Sequence, residues 1–231
     1  MRGYGQFCPM ALATEIVGER WTPLVLRELM LGSTRFNDIQ RGVPRMSPSL
    51  LARRLKTLEK AGIVERRRSG TSRVDYVLTE AAEELSPIIN GLAAWGKTWL
   101  PATLSRENSD PDLLMWDVHR RIDLKRMPDS KTVIRFAFTD QPKQKRYRWI
   151  VGNAEGVELC ITDPGLDVDL HVTTDSRTMT WVWYGDIPLK AALADGMIVL
   201  DGPRKLRDSF PSWIMLNLLA DIPRRHPLGA A

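Results

Sequence analysis

The run from Ser47 to Gly62 reads Ser-Pro-Ser-Leu-Leu-Ala-Arg-Arg-Leu-Lys-Thr-Leu-Glu-Lys-Ala-Gly, and it leaves little freedom in local structure. A serine can cap the free amides of a first helical turn, and Pro48 sits where a missing N–H costs nothing. Gly62 is the residue type that ends a helix. At about 100° per residue, Leu51, Leu55 and Leu58 fall within roughly 60° of one another and form a packing face. Ser49, Arg53, Lys56 and Lys60 form a second stripe about 160° away, with no acid in it. Arg54 lies on the flank of the apolar face, where its stem packs and its guanidinium reaches sideways.

A lone basic stripe usually means a solvated face, but the next residues change its meaning. Ile63-Val64-Glu65-Arg66-Arg67-Arg68 and Arg73-Val74-Asp75-Tyr76-Val77-Leu78 flank a short polar turn and read as a β-hairpin carrying four arginines. A basic-faced helix followed by a basic hairpin is the winged variant of the helix-turn-helix, with the helix in the major groove and the hairpin along the backbone. Arg45 stands before the amino end of the helix, where Ser47 and Ser49 can meet phosphates, while Arg53, Lys56 and Lys60 line the exposed stripe and Arg54 flanks it. At the hairpin turn, Arg68, Thr71, Ser72 and Arg73 approach the backbone or minor groove. Arg66 and Arg67 point to opposite faces of their strand, so at least one of them is open to solvent.

The distribution of charge agrees. The net +5 is uneven: residues 1–75 carry 14 Lys+Arg against 7 Asp+Glu, and the rest 19 against 21. Basic charge concentrated in one third of a chain implies a polyanionic partner for that third, here double-stranded DNA.

Ahead of this stretch, Met10 to Val17 reads as a short helix closed by Gly18, and Thr22-Pro23 starts a second whose Leu24, Val25, Leu26, Leu29 and Met30 are core-forming. Phe36 and Ile39 anchor a brief third helix leading through Gly42-Val43-Pro44 to the basic one. After the hairpin, Thr79 caps a further helix that Pro87 kinks or divides, and Ile88, Leu92, Trp95 and Trp99 repeat at helical spacing.

Cys8-Pro9-Met10, Gly18-Glu19-Arg20-Trp21-Thr22, the Leu24 to Leu31 helix, Arg35-Phe36-Asn37-Asp38-Ile39, Ile63-Val64-Glu65-Arg66 and Tyr76-Val77-Leu78-Thr79 resemble the HxlR-type transcriptional regulators, over a winged helix-turn-helix domain at residues 8–100. The resemblance implies a homodimer formed through the terminal helix and the amino-terminal segment, placing two recognition helices about one DNA turn apart on a palindromic operator. Some members of that family use a cysteine at the position of Cys8 to sense oxidants or electrophiles. A helix amino end with nearby arginines favours a thiolate there.

Residues 101–111, polar and bracketed by Pro101 and Pro111, suit a linker. Beyond it the pattern is α+β: a helix marked by Leu114, Val118 and Ile122, then strands at 132–139, 147–152 and 156–162. An alternating strand is expected at Leu166 to Val172, with Asp167 and Asp169 solvated, then helices at 176–184 and 188–195, a strand at 197–200, and an apolar helix from Leu206 to Leu219. Short connections imply a mostly antiparallel sheet.

Gly156-Val157-Glu158-Leu159-Cys160, Asp167-Val168-Asp169-Leu170, Trp183-Tyr184-Gly185-Asp186 and Gly196-Met197-Ile198-Val199-Leu200-Asp201-Gly202 resemble the sterol-carrier-protein fold over residues 112–220. That fold commonly encloses an apolar cavity, which Met179, Trp181, Trp183, Trp213 and Met215 would line for a small apolar ligand.

No nucleophile-base order, zinc-binding helix, phosphate loop or acid pair stands out, so neither an enzyme nor a cofactor or metal is expected. Two cysteines far apart exclude a disulfide framework. No apolar run suits export or a membrane span, so the cytoplasm is expected and no membrane partner. Two other readings fit less of the charge pattern: a carrier of hydrophobic metabolites whose first domain only dimerises, and a thiol switch working through Cys8.

Overall fold

Prolines mark where helices begin. Helices α1 (Pro9–Val17), α2 (Thr22–Met30) and α4 (Pro48–Lys60) each carry proline at the first or second helical position, where no N–H is needed. The computed structural model describes residues 3–69, 73–101 and 109–226. Its contacts divide the chain into two units, residues 1–93 and 94–231.

In the first unit, α1 and α2 precede α3 (Phe36–Gly42) and α4, and strands β1 (Val64–Ser69) and β2 (Arg73–Leu78) pair antiparallel with Arg66 opposite Tyr76. Helix α5 (Glu80–Glu83) and the start of α6 (Ser86–Trp99) follow, divided just ahead of Pro87. Val25, Leu26, Ile39, Leu51, Leu55 and Leu58 are almost fully buried together and make the core. Leu24, expected in that core, is 40 % exposed, because its neighbours Val25 and Leu26 hold the inward face of α2. Thr79 caps no amide; its hydroxyl donates back to the carbonyls of Gly62 and Ile63 and ties the end of the hairpin to its start.

The boundary between the units falls inside α6. The linker expected at 101–111 lies mostly at 102–108, outside the described residues. In the second unit, α7 (Pro111–His119), capped by Asp110, precedes strands β3 (Thr132–Phe138), β4 (Tyr147–Asn153), β5 (Gly156–Cys160) and β6 (Leu170–Thr174). Helices α8 (Ser176–Trp183) and α9 (Leu189–Ala194), strand β7 (Val199–Asp201) and helix α10 (Arg204–Ser209) complete it. The five strands lie in the order β5-β4-β3-β6-β7, antiparallel except for the β3–β6 pair. Ile134, Phe136, Phe138, Ile150, Leu170 and Val172 turn one sheet face toward α7 and α8.

Two expectations fail here for non-local reasons. The strand expected from Leu166 begins only at Leu170: Leu166 and Asp167 are exposed, and the Asp169 carboxylate, far from being solvated, accepts the Val133 amide at 2.8 Å. The apolar helix expected from Leu206 to Leu219 stops at Ser209, since Pro211 lacks the N–H a continuing helix needs. Residues beyond it pair instead with the segment after α7, Ile122 bridging Ile214 and the Met215 amide donating to the Arg121 carbonyl.

Candidate nucleic-acid interface

Helix α4 is shaped as its sequence implies. The Ser47 hydroxyl accepts the Leu50 amide at 3.3 Å and lies 3.2 Å from the Ser49 hydroxyl, and Gly62 turns the chain away at φ +70°. Leu51, Leu55 and Leu58 are at most 1 % exposed. Arg53, Lys56 and Lys60 are exposed and have no side-chain ion pair or hydrogen bond among the described residues. Ser47, Ser49 and Arg45 are exposed as well, at the amino end of the same helix.

Arg54 corrects the sequence expectation. Its side chain is 10 % exposed and its guanidinium bonds the Glu19 carboxylate at 2.9 Å, reaching also to the Arg20 carbonyl. A guanidinium so engaged holds α4 against the turn before α2 and is not offered to a duplex.

That turn and the next one are built from contacts that the sequence did not advertise. Gln40 donates its amide to the carbonyls of Val43 at 3.2 Å and Met46 at 2.7 Å, clasping the connection between α3 and α4. Glu28, fully buried, pairs with Arg27 at 2.7 Å, and Arg27 also donates to the Gly42 carbonyl. A Cβ on Gly42 would stand 1.9 Å from the Glu28 carboxyl carbon, so only glycine fits. A partial signal was available: Glu28 is an acid lying between the core-forming Val25, Leu26 and Leu29.

The hairpin is anchored at its base. The Tyr76 amide donates to the Thr34 carbonyl at 2.7 Å, and the Asp75 carboxylate accepts from Thr34 and from Arg73. Arg73 keeps 54 % of its side chain exposed. Arg67 pairs with Glu65 on one strand face, holding that carboxyl below the ordinary carboxylate range. Arg66 and Arg68 lie on the other face, both exposed and without a partner among the described residues. Thr71 and Ser72 lie outside the described residues.

A three-helix array ending in a helix with an exposed basic stripe, with an arginine-bearing hairpin beside it, is a winged helix-turn-helix. Residues 16–104 match the model of the HxlR-like helix-turn-helix family. The uncharacterized HTH-type transcriptional regulator YvaP of Bacillus subtilis is 34 % identical over 98 residues, 41 % of this chain and 91 % of that protein. The chain belongs to the HxlR-like family. An uncharacterized HTH-type transcriptional regulator of Methanothermobacter thermautotrophicus is 35 % identical, over 40 % of this chain and 72 % of that one. The structure of the reduced form of the regulator YodB from Bacillus subtilis is 36 % identical, covering 40 % of this chain and 93 % of that chain, with a TM-score of 0.35. The protein is thus a DNA-binding transcriptional regulator of the helix-turn-helix type, and these matches each cover about two-fifths of it.

The remaining candidates of this HxlR-like chain are spread out. Met179, Trp183 and Trp213 pack in the core of the second unit, at most 2 % exposed, and the indole N–H groups of Trp183 and Trp213 are buried without an acceptor among the described residues. Trp181 is buried at 5 % but stands apart from that cluster, its ring 5.8 Å from the Arg224 guanidinium, and Met215 is 43 % exposed. Cys8 is exposed at the amino end of α1. No helix among the described residues is long and apolar enough to cross a membrane.

Proposed function

We propose that this regulator acts as a homodimer on a two-fold operator, with α4 of each copy in a major groove and the β1–β2 hairpin on the flanking backbone. The observation that carries the reading is the stripe of Ser49, Arg53, Lys56 and Lys60, all exposed, whose three cations have no side-chain partner among the described residues, on a helix whose opposite face is buried. Arg45, Ser47 and Ser49 engage phosphate at the helix amino end, where free amides and the dipole favour anions. Arg53 and Lys56 are the side chains placed to reach bases, and Arg66, Arg68 and Arg73 the hairpin cations, joined by Thr71 and Ser72. Exposed apolar side chains support dimerisation: Phe7 is 99 % and Met10 73 % exposed ahead of and on α1, and Ile88, Leu92, Trp95 and Trp99 are 45–62 % exposed along α6. Apolar surface left in this pattern is what a subunit interface covers.

In this reading the second unit, a sterol-carrier-protein-like domain, senses a small apolar ligand through the core around Met179, Trp183 and Trp213, and binding shifts the population of DNA-competent dimers. The test is Arg53→Ala combined with Arg68→Ala, assayed by fluorescence anisotropy on operator DNA across a salt series. Weaker binding with a flatter salt slope in a folded protein supports the assignment; unchanged affinity and slope overturn it.

A second reading rests on the exposure of Cys8 at a helix amino end: oxidation of that thiol alters the dimer and hence DNA binding. A Cys8→Ser protein whose DNA binding still responds to oxidant removes this reading.

A further inference from the structure

Helices α7 and α8 pack on one face of the second unit's sheet, under Ile134, Phe136 and Phe138. On the other, strand register sets Trp149, Arg135, His171 and Asp201 side by side in one row across β4, β3, β6 and β7. Directly opposed residues share a face, and adjacent strands stand about 4.8 Å apart, so this row is a strip roughly 14 Å long. None of the four belongs to the apolar core cluster under the helices.

Arg135 is at the centre of the row and is left unmatched. It is half-buried, it makes no salt bridge or hydrogen bond among the described residues, and its Nε is shielded from solvent with no acceptor. The Nδ1 of His171, on the neighbouring strand, is in the same condition. A buried polar nitrogen without a partner forfeits its hydration and gains nothing in return, so the Arg135 Nε–H beside the His171 ring, in its Nδ1–H tautomer, forms a site that an acceptor would complete. The guanidinium lies 5.0 Å from the Tyr147 ring, and that ring lies 6.2 Å from the Trp149 ring, so flat aromatic surface adjoins the cation. Tyr147 remains 37 % exposed, whereas Trp149 is buried at 6 %, so the available ring is that of Tyr147. The charge at the margins limits the ligand: Asp201 at one end and Glu158 on the β5 edge are exposed and unpaired among the described residues. Flanking carboxylates repel a polyanion but tolerate a single negative charge held on a guanidinium.

We infer that this sheet face binds a small mono-anionic carboxylate with a flat unsaturated body. The carboxylate accepts from Arg135 and from His171 in its Nδ1–H tautomer, and the body lies along the exposed ring of Tyr147. This site is distinct from the apolar core around Trp183 and Trp213, and it rests on strand register and unmatched donors, not on the DNA-binding reading.

Isothermal titration of the full-length protein with 1-naphthoate, with uncharged 1-naphthamide and with inorganic phosphate tests it. Saturable naphthoate binding is expected, at least about tenfold tighter than naphthamide or phosphate, and about tenfold to a hundredfold weaker in Arg135→Gln, the loss of a charge-assisted hydrogen bond. Arg135→Lys and His171→Ala should each weaken it by less, and thermal unfolding checks that every variant folds. Should Arg135→Gln not fold, His171→Ala and Tyr147→Ala carry the test, each required to weaken naphthoate binding. Absence of saturable binding, equal binding of naphthoate and naphthamide, tighter binding of phosphate, or variants that bind like wild type would each overturn the assignment. DNA binding is not read in this titration, so a failed operator assay leaves its outcome untouched.

Discussion

The Arg54 guanidinium on α4 bonds the Glu19 carboxylate at 2.9 Å, joining residues 35 positions apart. The pair holds α4 to the turn that begins α2, with side chains 10 % and 20 % exposed. The same helix therefore carries Arg54 in an internal ion pair beside Arg53, which is exposed and has no ion pair among the described residues.

Replacing Arg54 by alanine should lower stability by about 1–3 kcal/mol, less than a fully buried pair because Glu19 retains some water. Urea unfolding measures this. Since Arg54 does not face the duplex in this assignment, operator affinity of the folded fraction should change little; a loss as large as that of Arg53→Ala at undiminished stability would contradict the assignment.

Gly42→Ala should be costly at a position that looks like an ordinary helix end. The added methyl displaces the fully buried Glu28 carboxylate from its place against Arg27 and the α3 terminus. A loss of about 2–4 kcal/mol is expected from overpacking combined with a disturbed buried charge. Thermal melts resolve it easily, and a neutral result would mean that the α2–α3 contact is looser than described.

On α6, Leu92→Glu places a charge on a face already 57 % exposed at that residue, so the isolated chain should keep its fold. If the face is the dimer contact, sedimentation should show a shift to monomer with weaker operator binding. An unaltered dimer would move the contact elsewhere.

Lys97 gives a pH signature. Burial pulls its ammonium below the ordinary 10.5, opposed by Asp186 and reinforced by Arg224. In the window just beneath that value the unfolded chain binds the proton more tightly, so stability from this group rises as pH climbs through it. Lys97→Met should flatten that alkaline rise in denaturation measured across the window, and matching slopes in both proteins would refute the cause.

What the sequence made legible was local. The leucine and cation stripes of α4, the serine cap, the glycine stop and the alternating arginines of the hairpin all depend on residues within a few positions of each other. What it hid depended on partners far along the chain. Arg54 looked like a flanking cation because Glu19 is 35 residues away, and nothing near Leu170 disclosed that the Asp169 carboxylate would serve the Val133 amide. The stretch after Pro211 has helical periodicity, yet the bridge to Ile122 claims its backbone. Gly42 was overlooked because it matters only when α2 and α3 are packed together, bringing it against Glu28.

The ammonium of Lys97 donates to the carbonyls of Tyr184, Leu219 and Ala220, with Asp186 at 3.8 Å. Two of those three oxygens belong to residues within a dozen positions of the sequence's last alanine. Trimming the polypeptide to end before Leu219 would leave a positive charge inside the protein with only part of its coordination. Leu219 and Ala220 are thus a structural necessity for the final turn of α6, and a version lacking them should be degraded faster in cells.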